Sequence, residues 1–102
     1  MMTRQQTTDM RRQHAAAVQK AQQLRADNDQ AQEKFAEWVV RNRNPFDEGQ
    51  AEHIRIQAAN AEMEQKRANL WLTHLRQLSP QQYTEGLQTG AVQRAYDNIW
   101  YH

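Results

Sequence analysis

The chain has 102 residues, with 13 Lys and Arg against 12 Asp and Glu, a formal net charge of +1 and no cysteine. Without cysteine there are no disulfides, iron–sulfur clusters, thiolate zinc sites or cysteine nucleophiles. Two Phe, six Leu, three Ile and four Val give 15 large apolar residues in 102, below the roughly 20% of an ordinary globular chain. A thick core is therefore excluded. Charge balance and an abundance of Ala, Gln, Glu and Arg argue for helix rather than disorder. The expectation is one all-α domain over residues 1–102.

The first breaker is Pro45, so one helix is expected over about residues 4–43, with no Gly or Pro inside it. Along it a 3-4 spacing runs through Met10, His14, Ala17, Ala21, Leu24, Asn28, Ala31, Phe35 and Trp38, a heptad seam made largely of small or polar residues. Asn44-Pro45-Phe46 makes a turn over 44–47. Asp47 is a good N-cap, Gln50 stands at the N3 place of a capping box, and Phe46 and Ala51 are spaced for a hydrophobic staple.

A second helix, about 48–78, repeats the spacing through Ala51, Ile54, Ala58, Ala61, Gln65, Ala68, Leu72 and Leu75. Folding back antiparallel around Pro45 pairs the two seams in layers. These are Trp38/Ala51, Phe35/Ile54, Ala31/Ala58, Asn28/Ala61, Leu24/Gln65, Ala21/Ala68, Ala17/Leu72 and His14/Leu75. The small central layers permit close helix approach. The architecture predicted is a long, coiled-coil-like antiparallel hairpin with an Ala-rich seam. Its competitor leaves the first helix extended and paired with a second copy.

Ser79-Pro80-Gln81-Gln82 is another start signal, with Ser79 as N-cap, Pro80 at the first helical position, Gln82 closing a capping box, and Leu78 and Tyr83 placed for a staple. A short helix over 80–89 is expected, weakened by Gly86 and stopped at Gly90. A last helix over 91–101 carries Val92, Ala95, Tyr96, Ile99 and Trp100 on one face. That face must pack within the chain, swap between chains or bind a partner.

The second helix offers a further apolar line roughly opposite its seam, Ile56, Met63 and Leu70 with Ala59 beside them. The short C-terminal segments can cover only part of a helix about 45 Å long. The candidate partner-binding set is therefore Ile56, Ala59, Met63, Leu70, Trp71, Trp100 and Tyr101, Trp and Tyr being favoured interface anchors. The partner expected is another protein or a second copy of this chain.

Charge is polarised along the chain. Residues 1–25 carry Arg4, Arg11, Arg12, Lys20 and Arg25 against Asp9, a net +4, and residues 26–52 carry three bases against seven acids, a net −4. The fold-back brings basic segments together at the open end and leaves the turn end acidic. Arg4, Arg11, Arg12, Lys66, Arg67 and Arg76 are the candidate contacts to nucleic-acid phosphates in the alternative reading. No helix-turn-helix, zinc-finger or basic-zipper pattern accompanies them.

Catalysis finds no support. The single Ser is used as a cap, no Gly-rich loop is present, and Asp27/Asp29, Asp47/Glu48 and Glu62/Glu64 do not converge on a helix. His14 comes near His74 in the hairpin register, but no third ligand of zinc spacing joins them, and His53 and His102 read as surface positions. No cofactor, metal or small-molecule substrate is expected. There is neither an apolar run suited to a signal peptide nor the roughly 20 apolar residues of a membrane span. The reading is a non-enzymatic, unanchored, cytoplasmic interaction module: a small adaptor, inhibitor or assembly factor.

Overall fold

A computed structural model describes residues 3–102. It contains four helices: α1 (Arg4–Asn42), α2 (Glu48–Gln77), α3 (Pro80–Thr89) and α4 (Ala91–Trp100). The expected all-α hairpin with two short C-terminal helices is what forms, and α1, α2 and α4 each end one residue earlier than the spacing suggested. The molecule measures 68 × 24 × 14 Å, with a radius of gyration of 18.8 Å against about 13 Å for a compact domain of this length. α1 alone, at 1.5 Å per residue, spans about 58 Å. It therefore sets the long axis.

Local chemistry accounts for the boundaries. Thr3 caps α1 through a reciprocal box with Gln6, and Ser79 does the same for α3 with Gln82, Pro80 following at the first turn. Asp47 caps α2 by accepting from the Gln50 backbone N–H at 3.0 Å. The Gln50 side chain does not close that box. Its Oε1 accepts from the Asn44 N–H at 2.6 Å and its Nε2 donates to the Asn42 carbonyl at 3.1 Å, tying the turn to the end of α1. The expected staple is also absent, because Phe46 stands 93% exposed. Gly90 takes φ +81° between α3 and α4, a left-handed conformation that glycine adopts without a Cβ penalty.

Near the open end the seam follows the expected register. His14 Nε2 lies 2.7 Å from the Leu75 carbonyl oxygen; a carbonyl only accepts, so the ring carries hydrogen at Nε2. The bond serves one of the last carbonyls of α2, which lack full intrahelical pairing. Ala21, Leu72 and Leu75 are buried together, with Ala17, Val18, Trp71 and Tyr83 packed against them, and Ala68 is wholly buried. Toward the turn the register drifts. Gln32 Nε2 donates to the Ala61 carbonyl at 2.9 Å, and Gln65 donates to Asp29, each about one turn beyond the layer partner expected.

The half-buried positions of α1 there are Asn28, Gln32, Phe35 and Val39, while Ala31, Trp38, Ala51 and Ala58 are exposed. The layers Ala31/Ala58 and Trp38/Ala51 therefore bury little. An α-helix of 3.6 residues per turn departs from a seam that repeats every 3.5, which moves the half-buried set one position round α1 at Gln32 and Val39. Trp38 instead stacks on Phe35, centroids 6.3 Å apart and planes 9° from parallel.

α3 packs on α1, and α4 on α3 and α2. This produces two regions. A base holds every buried residue among those described, Ala21, Ala68, Leu72, Leu75, Gly86 and Val92; an arm of two helices extends from it to the turn. Gly86 has a packing role. A Cβ there would sit 2.6 Å from Val92 Cγ2, so the missing side chain lets α3 and α4 close on each other.

Candidate functional site

The α2 line is presented much as its spacing predicts. Ile56, Met63 and Leu70 are 51, 50 and 49% exposed, and Ala59 is exposed beside them. Recurring every seven residues, they share one side of α2, which is left over after α1 takes the seam. α4 occupies a neighbouring side at the base and leaves this line open along the arm.

The aromatic candidates sit differently. Trp71 meets Tyr96 edge to face at 5.2 Å and Trp100 at 6.3 Å, while Tyr96 and Trp100 stack at 4.4 Å. His74 stacks on Trp71 at 5.9 Å. Trp71 and Trp100 are half-buried in this cluster, which pins α4 to α2; offset and edge-to-face ring pairs add about 0.5–1.5 kcal/mol each beyond their burial. They hold the C-terminal helix within its own chain and are not free anchors. Tyr101, 76% exposed, is the one aromatic at this terminus that stands out from the surface.

The basic candidates do not gather into one patch. Arg4, Arg11 and Arg12 are exposed near the start of α1. Lys66 belongs to the arm, beside Gln32 and Glu62, and Arg67 is half-buried. Arg76 lines a shallow depression with Arg25 and Asp29. Arg4 lies 28 residues along α1 from Gln32, which stands beside Lys66, roughly 42 Å of helix. Among the described residues the ion pair formed is Arg55 with Glu52, so Arg4, Arg11, Arg12 and Arg76 face solvent without a carboxylate partner.

His14 and His74 do not converge on a shared ligand position. His14 is committed to the Leu75 carbonyl and tilts against Tyr83, 5.6 Å between centroids, while His74 lies on Trp71. Among the described residues no group of three or more His, Asp or Glu could hold a metal ion. No described helix is long and apolar enough to cross a membrane.

Spacing alone did not single out a concavity at the base. A groove of about 630 Å³ opens at the base between all four helices, lined by Ala16, Lys20 and Leu24 of α1, Trp71 of α2, Leu87 of α3 and Tyr96 of α4. Its walls are mostly apolar, with Gln13 and Lys20 of α1, Tyr83 and Tyr96 contributing polar groups, and Leu24 and Leu87 remain 37 and 49% exposed. Tyr83 and Leu87, four apart on α3, were the available signal; that they face α1 depends on how α3 folds back. Compared with known protein families, with curated protein sequences and with solved structures, the chain matches none.

Proposed function

We propose that this chain is a non-enzymatic protein-interaction module, a small adaptor, inhibitor or assembly factor, which presents the arm of its hairpin to another protein. The observation that carries the reading is the row of half-exposed Ile56, Met63 and Leu70 on one side of α2, spaced about 10 Å apart along the helix. An apolar row rimmed by polar residues on a rigid helix suits the groove or helix face of a partner. The accessible surface of 7889 Å² exceeds the about 6,000 Å² of a compact chain of this mass, so much of the molecule is available for contact. Trp71 and Trp100 support the arm by closing the base, and Tyr101 extends the contact at the C-terminus.

Co-purification from the native cell extract followed by size exclusion with light scattering tests this. The unaltered chain is expected to retain a stoichiometric protein partner. Met63→Asp with Leu70→Asp is expected to lose it while far-UV circular dichroism stays unchanged, since neither residue is in the buried core. Retention of the partner by that variant shows that the α2 line is not the interface.

A second reading rests on the unpaired Arg4, Arg11, Arg12 and Arg76, which suit nucleic-acid phosphates. In a gel-shift assay with duplex and single-stranded nucleic acid it requires binding at low salt that falls steeply at moderate salt. Absence of binding at low salt removes it.

A further inference from the structure

The strip of α2 that faces away from α1 complements itself when the helix is turned end for end. Met63 stands at the middle of the Ile56/Met63/Leu70 row and within one residue of the midpoint of α2. Each residue turns the helix by about 100°, so the charged residues within about 60° of the row are Glu48 and Glu52 before Met63 and Lys66 and Arg67 after it. Over the whole helix the same division holds. Residues 48–62 carry Glu48, Glu52 and Glu62 against Arg55, a net −2, and residues 64–77 carry Lys66, Arg67 and Arg76 against Glu64, a net +2. Size is divided in the same way. The short Ala59 and Asn60 lie as far before Met63 as the long Arg67 and Lys66 lie after it; Arg67 is half-buried and the other three are exposed.

We infer that the row is covered by α2 of a second copy of this chain, running antiparallel about a two-fold axis at Met63. Residues equally far before and after Met63 then face each other across an isologous interface. Ile56 meets Leu70 of the second copy, Ala59 and Asn60 make room for the stems of Arg67 and Lys66, and Glu52 comes opposite His74. Glu62 and Glu64 stand about 100° to either side of Met63, at the edges of the strip, with Lys66 of the second copy beside Glu62. The acidic half of each helix lies along the basic half of the other, and the helix dipoles oppose. Because the axis falls at the midpoint of α2, the two helices overlap along their whole length of about 45 Å. A parallel pair would instead set Lys66 against Lys66 and Glu52 against Glu52. The inference rests on the reading of this row as a contact surface and names what the surface contacts.

The test is sedimentation equilibrium on the full chain, joined to cross-linking that reads the register. The unaltered chain is expected to reach twice the 12.1 kDa monomer mass as concentration rises, with association weakening as salt increases. Met63→Asp, which sets two like charges on the axis, is expected to raise the dimer dissociation constant about 30-fold or more, as loss of an interface anchor does. The chain has no cysteine, so single introduced thiols are read without background. Met63→Cys is expected to cross-link to itself on oxidation. Ile56→Cys mixed with Leu70→Cys is expected to cross-link at least about 10-fold faster than either variant alone, because like positions at these two sites stand about 21 Å apart along the axis. A chain that remains monomeric up to millimolar concentration overturns the inference. So does a dimer that survives Met63→Asp, or one in which Ile56→Cys cross-links to itself as fast as to Leu70→Cys. A monomeric chain that nevertheless retains a different protein, and loses it with Met63→Asp and Leu70→Asp, keeps the row as a contact surface and removes the second copy as its occupant. A dimer of the register described, with no other protein retained, upholds the inference and removes the adaptor reading.

Discussion

The base and the arm are built from the same two helices, yet only one of them has an interior. Between His14 and Ala21 on α1 and between Ala68 and Leu75 on α2, the seam is backed by Tyr83 of α3 and by the Trp71, Tyr96 and Trp100 rings, and Leu72 and Leu75 are buried. From Asn28 to Gln65 the same pair has nothing behind it, and its seam residues are half-buried at best. Two helices in contact shield only a narrow stripe of each; a third and fourth layer converts that stripe into a core. The base supplies the stability, and the arm is free to offer surface.

This contrast can be broken or sharpened by mutation. The largest effects belong in the base: Leu72→Ala or Leu75→Ala should cost about 2–5 kcal/mol in chemical denaturation, as truncation of a fully buried leucine does. Ile54→Ala, at a half-buried position of the arm, should cost markedly less, about 1 kcal/mol, because less apolar area is lost. Equal losses at Leu75 and Ile54 would mean that the arm contributes a core of its own.

The glycines give the next contrast. Gly86→Ala forces a Cβ to within 2.6 Å of Val92 Cγ2 and should destabilise by about 1–3 kcal/mol, with α4 displaced from α3. Gly49→Ala in the arm meets only Asp47 Oδ1 at 3.4 Å and should stabilise by about 0.4–1 kcal/mol through the lower entropy of the unfolded chain. A thermal melt of each variant separates the two signs.

The last contrast concerns the polar middle of the seam. Gln65 Oε1 is buried without a hydrogen-bond partner although its amide donates to Asp29. Gln65→Leu should therefore raise stability by about 1 kcal/mol, some 4–8 °C in melting temperature for a chain of this size. A lowered melting temperature would show that the Asp29 bond outweighs the unsatisfied oxygen.

Features governed by neighbours in sequence were legible before any fold was known. Pro45, Pro80 and Gly90 placed the breaks, and Asp47 and Ser79 cap the helices that follow, while the cap at Thr3 was not singled out by the sequence. The spacing of His14, Ala17, Ala21, Ala68, Leu72 and Leu75 gave the register of the base. What escaped depends on residues distant in sequence. Gly86 read as a weakness of α3, because only the approach of Val92 reveals its use. Trp71 and Trp100 read as interface anchors, because the direction in which α4 folds back decides that they meet. The exposed Ala31/Ala58 and Trp38/Ala51 positions could not be foreseen from a regular heptad, since the difference between 3.6 and 3.5 residues per turn accumulates with distance from the base. The groove needed all four helices in place, and no single segment carries its signature.

The central claim is that a cooperative base carries a surface-presenting arm. Native-state hydrogen–deuterium exchange, followed at single-residue resolution on the monomeric chain, tests it most directly. The account predicts that amides of α1 around Ala17–Ala21 and of α2 around Ala68–Leu75 exchange only through global unfolding. Amides of Asn28–Val39 and Ile54–Gln65 should exchange at least about 100-fold faster, through local opening of the arm. Uniform protection along both long helices would contradict it, and would show that arm and base unfold as one unit.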